Sequence, residues 1–277
     1  MMKTLICIFL ISALISALIL PMTASAAEAG LRIEFLNIGK ADAILIREGS
    51  HTIVIDAGKN GDGKKVVKRL KALGCESVDL MIITHFDKDH VGGADKIIKA
   101  MPVGLVFIPA YEKDSKQAAD FHNAVDEYSI PCERIKENRS LTIGNLQLTI
   151  DVANESDYGE NEENDFSLVT GMQYGKNSFL FTGDAENPRL AELLEEGIGH
   201  FDVLKVPHHG RREKLSSTFF DAVSPVHAVI TSGEDEDREE TSVVKALERA
   251  GARVWLTRNG NVVCTSDGTS INVFQEQ

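Results

Sequence analysis

The sequence predicts a mixed α/β (α+β) fold in which two β-sheets pack face to face with helices outside. Two observations predict it. Short apolar runs of strand length recur from residue 31 to the end, and amphipathic runs of helix length are inserted between them at intervals. Neither a repeat period nor a long linker divides the chain.

LRIEFLNI, ADAILIRE and HTIVIDAG read as three successive strands separated by turn residues. GKKVVKRLKAL (63–73) reads as a helix stopped by Gly74, and DLMIITH as a buried strand. A helix over 93–101 ends at Pro102, VGLVFIP is a further strand, and 115–128 form a polar helix. LTIG, NLQLTIDVA, FSLVTGMQY and SFLFTGD read as a largely antiparallel series. Helices at 187–196, 216–223 and 241–250 then alternate with the strands FDVLKVP, HAVITS and RVWLTR, and NVVCTS and SINVFQ close the chain. The acidic stretch NESDYGENEEND (154–165) reads as a solvated surface loop.

The N-terminus stands apart. Lys3 precedes an apolar stretch from Leu5 to Leu20, followed by Pro21 and the triplet Ala24-Ser25-Ala26. That is the layout of a secretory signal, with cleavage expected after Ala26; an uncleaved anchor is the alternative, since the stretch is nearly long enough to span a bilayer. Residues 1–26 are therefore assigned as a signal peptide and 27–277 as one domain, secreted and with no stable membrane embedding after cleavage. Cys7 lies at the start of the apolar run, which argues against lipid attachment. Without the signal the chain carries 28 basic and 42 acidic residues, a formal charge of −14. Such a field does not favour tight binding to a long polyanion. An anionic substrate has to be met locally, and Arg211, Arg212 and Lys214 form the one compact basic patch near the chemistry. Cys75, Cys132 and Cys264 are odd in number and widely spaced, so they do not form a disulfide framework, although one pair could bridge.

Function is written most clearly in THFDKDHVGG (84–93). His85, Asp87, Asp89 and His90 follow an apolar strand and precede Gly92 and Gly93. Imidazole with carboxylate suits Zn²⁺ or the harder Mn²⁺ and Fe. If the segment stays extended, His85, Asp87 and Asp89 share a face. Further metal-type residues also sit just past apolar strands: Asp56 in VIDAG, Asp184 in FTGDAE, and His208 and His209 in LKVPHHG, with Asn164 and Ser167 in NDFSLV. Asp56 alone reads equally as a turn or cap residue. Of the adjacent histidines, one reads as a ligand and the other as a donor to a phosphate or carboxylate oxygen. His51, His122, His200 and His227 lack partner spacing and read as surface or core.

THFDKDHVGG, VIDAG, FTGDAE and LKVPHHG, in this order, resemble the metallo-β-lactamase superfamily, and more narrowly the hydrolase domain of ComEC-type competence proteins. NDFSLV and GARVWLTRNGNVVCTSDG resemble that branch too. The resemblance implies an αββα sandwich of two mixed sheets flanked by helices, with a hydrolytic site for two divalent metal ions, Zn²⁺ or Mn²⁺, at one sheet edge. It implies that Asp184 bridges the metals and that Asp56 supports the site. On this reading Asp89, His90 and His208 bind one ion and His85 and Asp87 the other, while His209, Arg211 and Arg212 steady an anionic leaving oxygen. The two ions share a hydroxide held at Asp184, and Asp89, His209 and Arg211 are the expected catalytic residues. The expected reaction is hydrolysis of a small or polymeric phosphodiester, from nucleic acid or the cell envelope, with nucleic acid disfavoured by net charge. Cleavage of another ester or amide, such as a β-lactam, or a metal-binding module without turnover, are the alternatives. The sequence departs from the branch where a Gly-His-Pro segment is usual: it reads SGEDEDREETS, and Glu239 or Glu240 would have to replace the missing His.

Overall fold

A computed structural model describes residues 30–159 and 162–277. The signal assigned to residues 1–26 lies outside the described residues. Strands β1 (Leu31–Phe35), β2 (Ile44–Glu48) and β3 (His51–Ile55) form an antiparallel meander, and β4 (Val78–Ile82), β5 (Val103–Ile108) and β6 (Cys132–Arg134) continue it in parallel. β14 (Asn261–Ser266) and β15 (Ile271–Glu276) return to the other side of β1, giving the order β15-β14-β1-β2-β3-β4-β5-β6. The second sheet begins with β7 (Arg139–Ile143), β8 (Leu146–Asp151), β9 (Val169–Tyr174) and β10 (Asn177–Phe181), which pair antiparallel. β11 (Val203–Lys205), β12 (His227–Ile230) and β13 (Arg253–Leu256) are added in parallel.

Three apolar layers hold this together. Ile53, Ile55, Leu80 and Ile82 face the second sheet and meet Phe179 and Phe181 there. Their chain neighbours Val54, Met81 and Ile83 face outward, under helices α1 (Gly63–Ala72), α2 (Ala94–Ala100) and α3 (Lys116–Glu127). On the far side Leu204, Ala228 and Ile230 lie beneath α4 (Asn187–Glu195), α5 (Ser216–Val223) and α6 (Thr241–Arg249). Central strands covered on both faces read as continuous apolar runs, which is why DLMIITH carries no alternation. β8, by contrast, alternates, with Leu146, Leu148 and Ile150 inward. This is the αββα sandwich.

Most elements lie where the sequence places them, and two details differ. β6 has only three half-buried residues and gave no apolar signal. The acidic loop does not stay in solvent to its end: Asp165 and Phe166 are buried in a 3-10 turn over 162–166. Asp165 Oδ1 accepts from Glu186 N (3.0 Å) and Arg189 N (3.3 Å), so it caps α4 from a distant segment. Cys75, Cys132 and Cys264 are all free. Among the described residues no helix is long and apolar enough to cross a membrane.

Gly92 and Gly93 are fixed by contact. A Cβ on Gly93 would stand 2.2 Å from Ala57 O, and one on Gly92 would stand 2.2 Å from Lys88 O. Backbone cannot yield as a flexible side chain can. Gly93→Ala is therefore expected to lower stability by about 1–3 kcal/mol, measured by urea unfolding, with Gly61→Ala, whose Cβ meets nothing within 4 Å, as the neutral control.

Candidate metal centre

In both sheets the parallel strands end at the same edge. Asp56 follows β3, Thr84 and His85 follow β4, Asp184 follows β10, His208 and His209 follow β11, and Thr231 follows β12. Loop backbone ties the edge together: Leu168 N donates to Thr84 O (3.0 Å) across the two sheets, while the bonds from Asp42 N to Asp89 O (3.1 Å) and from Gly58 N to Asp42 O (2.7 Å) join the loops of the first sheet.

Asp184 lies at the middle. Its Oδ2 is 3.1 Å from His209 Nε2, 3.2 Å from His90 Nε2 and 3.8 Å from His208 Nε2. Its Oδ1 is 3.4 Å from Lys205 Nζ, and its backbone N–H donates to Ser167 Oγ at 3.1 Å. Burial alone would raise the Asp184 carboxyl, but His209, His90 and Lys205 outweigh it and hold it well below the usual carboxylate range.

Each central imidazole is anchored through Nδ1 and presents Nε2 inward. His209 Nδ1 donates to Thr231 O at 3.0 Å, and His90 Nδ1 donates to Asp56 Oδ2 at 2.7 Å. For His85 the tautomer follows from donor counting. Thr84 Oγ1 gives its one hydrogen to Asp56 Oδ2 (2.7 Å), so at 3.0 Å it accepts from His85 Nδ1. His85 Nε2 then carries a lone pair, is fully buried, and has no hydrogen-bond partner among the described residues. Burial and the neighbouring His90 lower the His85 imidazole to about 4, so it stays neutral. Burial works against charge on His90 as well, but there Asp184 and Asp56 win and raise it well above the ordinary imidazole value.

Ligand-type atoms within 4.8 Å of one another group as His85, His90 and Asp184, and as Asp89, His90 and His209. An imidazole fixed at Nδ1 by a carboxylate, hydroxyl or carbonyl is the usual preparation of a metal ligand. The orphaned Nε2 of His85 and this mixed nitrogen–oxygen set fit a pair of divalent cations.

Several residues stand elsewhere than the sequence suggested. Asp87 is absent from these closest groups: its carboxylate pairs with Lys113 Nζ at 2.7 Å, although it stands near enough to His85 and His90 to feel their charge. Its carbonyl accepts from His90 N and Val91 N, so the extended run ends there. The two adjacent histidines exchange expected places. His209 points into the centre, while His208 sits at the rim with Nδ1 3.1 Å from Glu186 Oε1. Arg211 is 57% exposed at the mouth, 3.6 Å from Glu186. Glu239 and Glu240 do not replace the missing His: Glu239 pairs with Arg258 and Glu240 accepts from Arg212 N. His122 packs on Phe86 and Phe121, away from the cluster.

Asp42 and Lys205 were missed by the sequence reading. Both are buried, with Lys205 Nζ 2.5 Å from Asp42 Oδ2 and Asp42 Oδ1 accepting from Thr231 Oγ1 at 2.5 Å. The signal was present: a lysine and an aspartate inside apolar runs that leave no solvent-facing position.

The family model described as the metallo-β-lactamase superfamily matches residues 36–233. The chain belongs to this superfamily. ComE operon protein 3 of Bacillus subtilis is 30% identical over 205 residues, 72% of this chain and 26% of the relative. Recombination protein 2 of Haemophilus influenzae is 27% identical over 252 residues, 89% of this chain and 29% of the relative. Together with the competence protein ComA of Neisseria gonorrhoeae, these place the chain in the ComEC-type branch of the superfamily. The chain spans only about a quarter to three tenths of these relatives' length. Among solved structures, the metallo-β-lactamase-fold protein YhfI of Bacillus subtilis superposes with TM-score 0.59 at 11% identity, over 86% of this chain and all of YhfI. The diiron β-hydroxylase CmlA of Streptomyces venezuelae gives 0.55 at 14% identity, over 90% of this chain and 54% of CmlA. These structural likenesses show the metallo-β-lactamase fold.

The opposed shifts of His85 and His90 set a pH dependence for the metal-free protein. His85 is lowered to about 4, so between 4 and the unfolded value of about 6.5 the unfolded chain binds more protons and stability rises with pH. His90 is raised, so its contribution is complete below about 6.5 and is lost as pH climbs through the raised value. Thermal unfolding in EDTA should therefore show its highest Tm near pH 6.5; a Tm that keeps rising toward pH 9 would contradict this assignment.

Proposed function

We propose that the chain is an exported metal-dependent hydrolase acting on phosphodiesters. The observation that carries this reading is Asp184 Oδ2, buried between the Nε2 atoms of His90 and His209 at 3.2 and 3.1 Å, with the orphaned Nε2 of His85 in the same group. His85, His90, His209, Asp89 and Asp184 would hold two divalent cations, Mn²⁺ or Zn²⁺. Cations bound there supply Lewis-acid polarisation of the scissile oxygen and a water of lowered pKa.

The residues of the chain do the rest. Thr84 and Asp56 lock the His85 and His90 rings, so ligand geometry is set before substrate arrives. Lys205 holds Gly183 O at 2.7 Å and Asp184 Oδ1 at 3.4 Å, which keeps Oδ2 turned toward the centre. Arg211 at the mouth offers an exposed positive charge for an anionic oxygen. A set of three imidazoles and two carboxylates suits Zn²⁺ and Mn²⁺ alike. Two-metal sites stabilise both the attacking and the leaving oxygen of a phosphodiester, which supports that substrate class over a β-lactam. The similarity to competence and recombination proteins supports a nucleic-acid phosphodiester; the net charge of the mature chain favours short over long strands.

The test is hydrolysis of a chromogenic phosphodiester by the purified chain with Mn²⁺ or Zn²⁺. Turnover should be abolished in Asp184→Asn, and Thr84→Val should weaken metal binding by about 10–100-fold. Metal bound tightly, without turnover of any ester, amide or phosphodiester, would replace the enzyme with a binding module.

A further inference from the structure

We infer that the rim of the cleft holds an accessory divalent-cation site formed by Glu186, His208 and Glu213. The inference rests on the central site proposed above, which the accessory ion would serve. One ligand-type atom from each residue lies within 4.8 Å of the others. Two ligand atoms on opposite sides of an ion at about 2.0–2.4 Å are separated by about that span. The three residues come from different elements: Glu186 precedes α4, His208 follows β11 and Glu213 precedes α5.

His208 supplies the independent sign of a ligand. Its residue is 7% exposed, and its buried Nδ1 makes no hydrogen bond among the described residues. The atom nonetheless faces Glu186 Oε1 at 3.1 Å, so it looks into the carboxylate pair in a poor hydrogen-bond geometry. The backbone also carries a cost to place it there. His208 and His209 both adopt positive φ, 46° and 52°, a conformation non-glycine residues seldom take and which persists where surrounding structure enforces it. Each carboxylate spends one oxygen on an amide: Asn164 Nδ2 donates to Glu186 Oε1 at 2.8 Å and Asn187 Nδ2 to Glu213 Oε2 at 2.6 Å. Those bonds fix the orientation of the two carboxylates. Arg211, exposed and 3.6 Å from Glu186 Oε1, is the nearby counter-charge that an ion would displace toward solvent.

Two carboxylates with one imidazole suit a borderline or hard divalent ion such as Mn²⁺. Its effect on the central site follows from the two ring nitrogens. A cation on Nδ1 requires that nitrogen to be unprotonated, which puts the ring proton on Nε2. His208 Nε2 is 3.8 Å from Asp184 Oδ2. The accessory ion would thus turn His208 into a hydrogen-bond donor facing the central site, where an anionic oxygen of the substrate would be received.

The experiment counts Mn²⁺ per full-length chain by equilibrium dialysis and elemental analysis, with circular dichroism to verify folding. Glu186→Gln/Glu213→Gln should bind one Mn²⁺ fewer than the parent. Asp89→Asn/Asp184→Asn, which disables the centre, should keep one Mn²⁺, and adding the two Glu substitutions should remove it. If the paired Glu variant does not fold, Glu186→Gln alone should weaken that remaining ion by tenfold or more. Unchanged Mn²⁺ binding in the Glu variants, or none in the Asp variant, overturns the accessory site. An ion retained in the Asp variant, beside a parent that hydrolyses no phosphodiester, upholds this site while the proposed activity falls.

Discussion

Everything at the sheet edge depends on keeping one carboxylate, Asp184, ionised in a place from which water has been excluded. An isolated carboxylate in such surroundings would neutralise itself or disrupt the fold. Here Lys205, His90 and His209 surround it, and Lys205 is in turn shared with Asp42. Burial would strip the proton from the Lys205 ammonium, but Asp42 and Asp184 reverse this and raise it above its ordinary value. The result is a chain of alternating charges, Asp42–Lys205–Asp184–His90–Asp56, crossing from the first sheet to the second and back. Breaking any link would leave a buried charge without its partner, which is far costlier than the pair is stabilising.

Backbone strain gathers at the same place. Asp56, His208 and His209 have φ of 58°, 46° and 52°, a region where a Cβ crowds the backbone. Asp56 is held there by Thr84, which donates to both of its carboxylate oxygens. The histidine pair is held between Gly183 O, which accepts from His208 N, and Thr231 O, which accepts from His209 Nδ1. Successive left-handed residues swing two adjacent imidazoles to different sides of the turn, so one enters the centre and the other reaches Glu186. An ordinary extended strand end would also separate neighbouring side chains, but it could not aim both at one cleft.

This geometry explains what was legible in the sequence and what was not. The sandwich was readable because central strands bury both faces and its helices carry one apolar stripe, as in VVKRL, where Val66 and Leu70 are buried. The cluster of His85, Asp89, His90 and Asp184 was readable because such residues after apolar runs have few other uses. The pairing of Asp87 with Lys113 was not, because the partner lies 26 positions away and leaves no local signature. The order of His208 and His209 depended on positive φ values that no spacing rule signals. Asp42 and Lys205 were hidden by distance, since an ion pair across 163 positions has no local signature, and only the implausibility of a lone buried charge pointed to either.

The missing late histidine has a consequence for charge. In the segment after β12 the polar groups near the cleft are Thr231, which serves Asp42 and His209, and Glu239, which is committed to Arg258. No nitrogen ligand from this segment replaces it among the described residues, and the three imidazoles of the centre stand among carboxylates. Four of them, Asp42, Asp56, Asp89 and Asp184, would by themselves neutralise two divalent cations and leave nothing to attract an anion. Lys205 changes that balance. Its fixed ammonium already satisfies Asp42 and part of Asp184, so ions bound at the centre would retain net positive charge toward the cleft. Because the molecule as a whole is acidic, that residual charge acts only at short range and is screened within roughly 10 Å at moderate salt. A phosphodiester has to reach the metals themselves to feel it, which selects a compact or end-presented substrate over one gripped along its length.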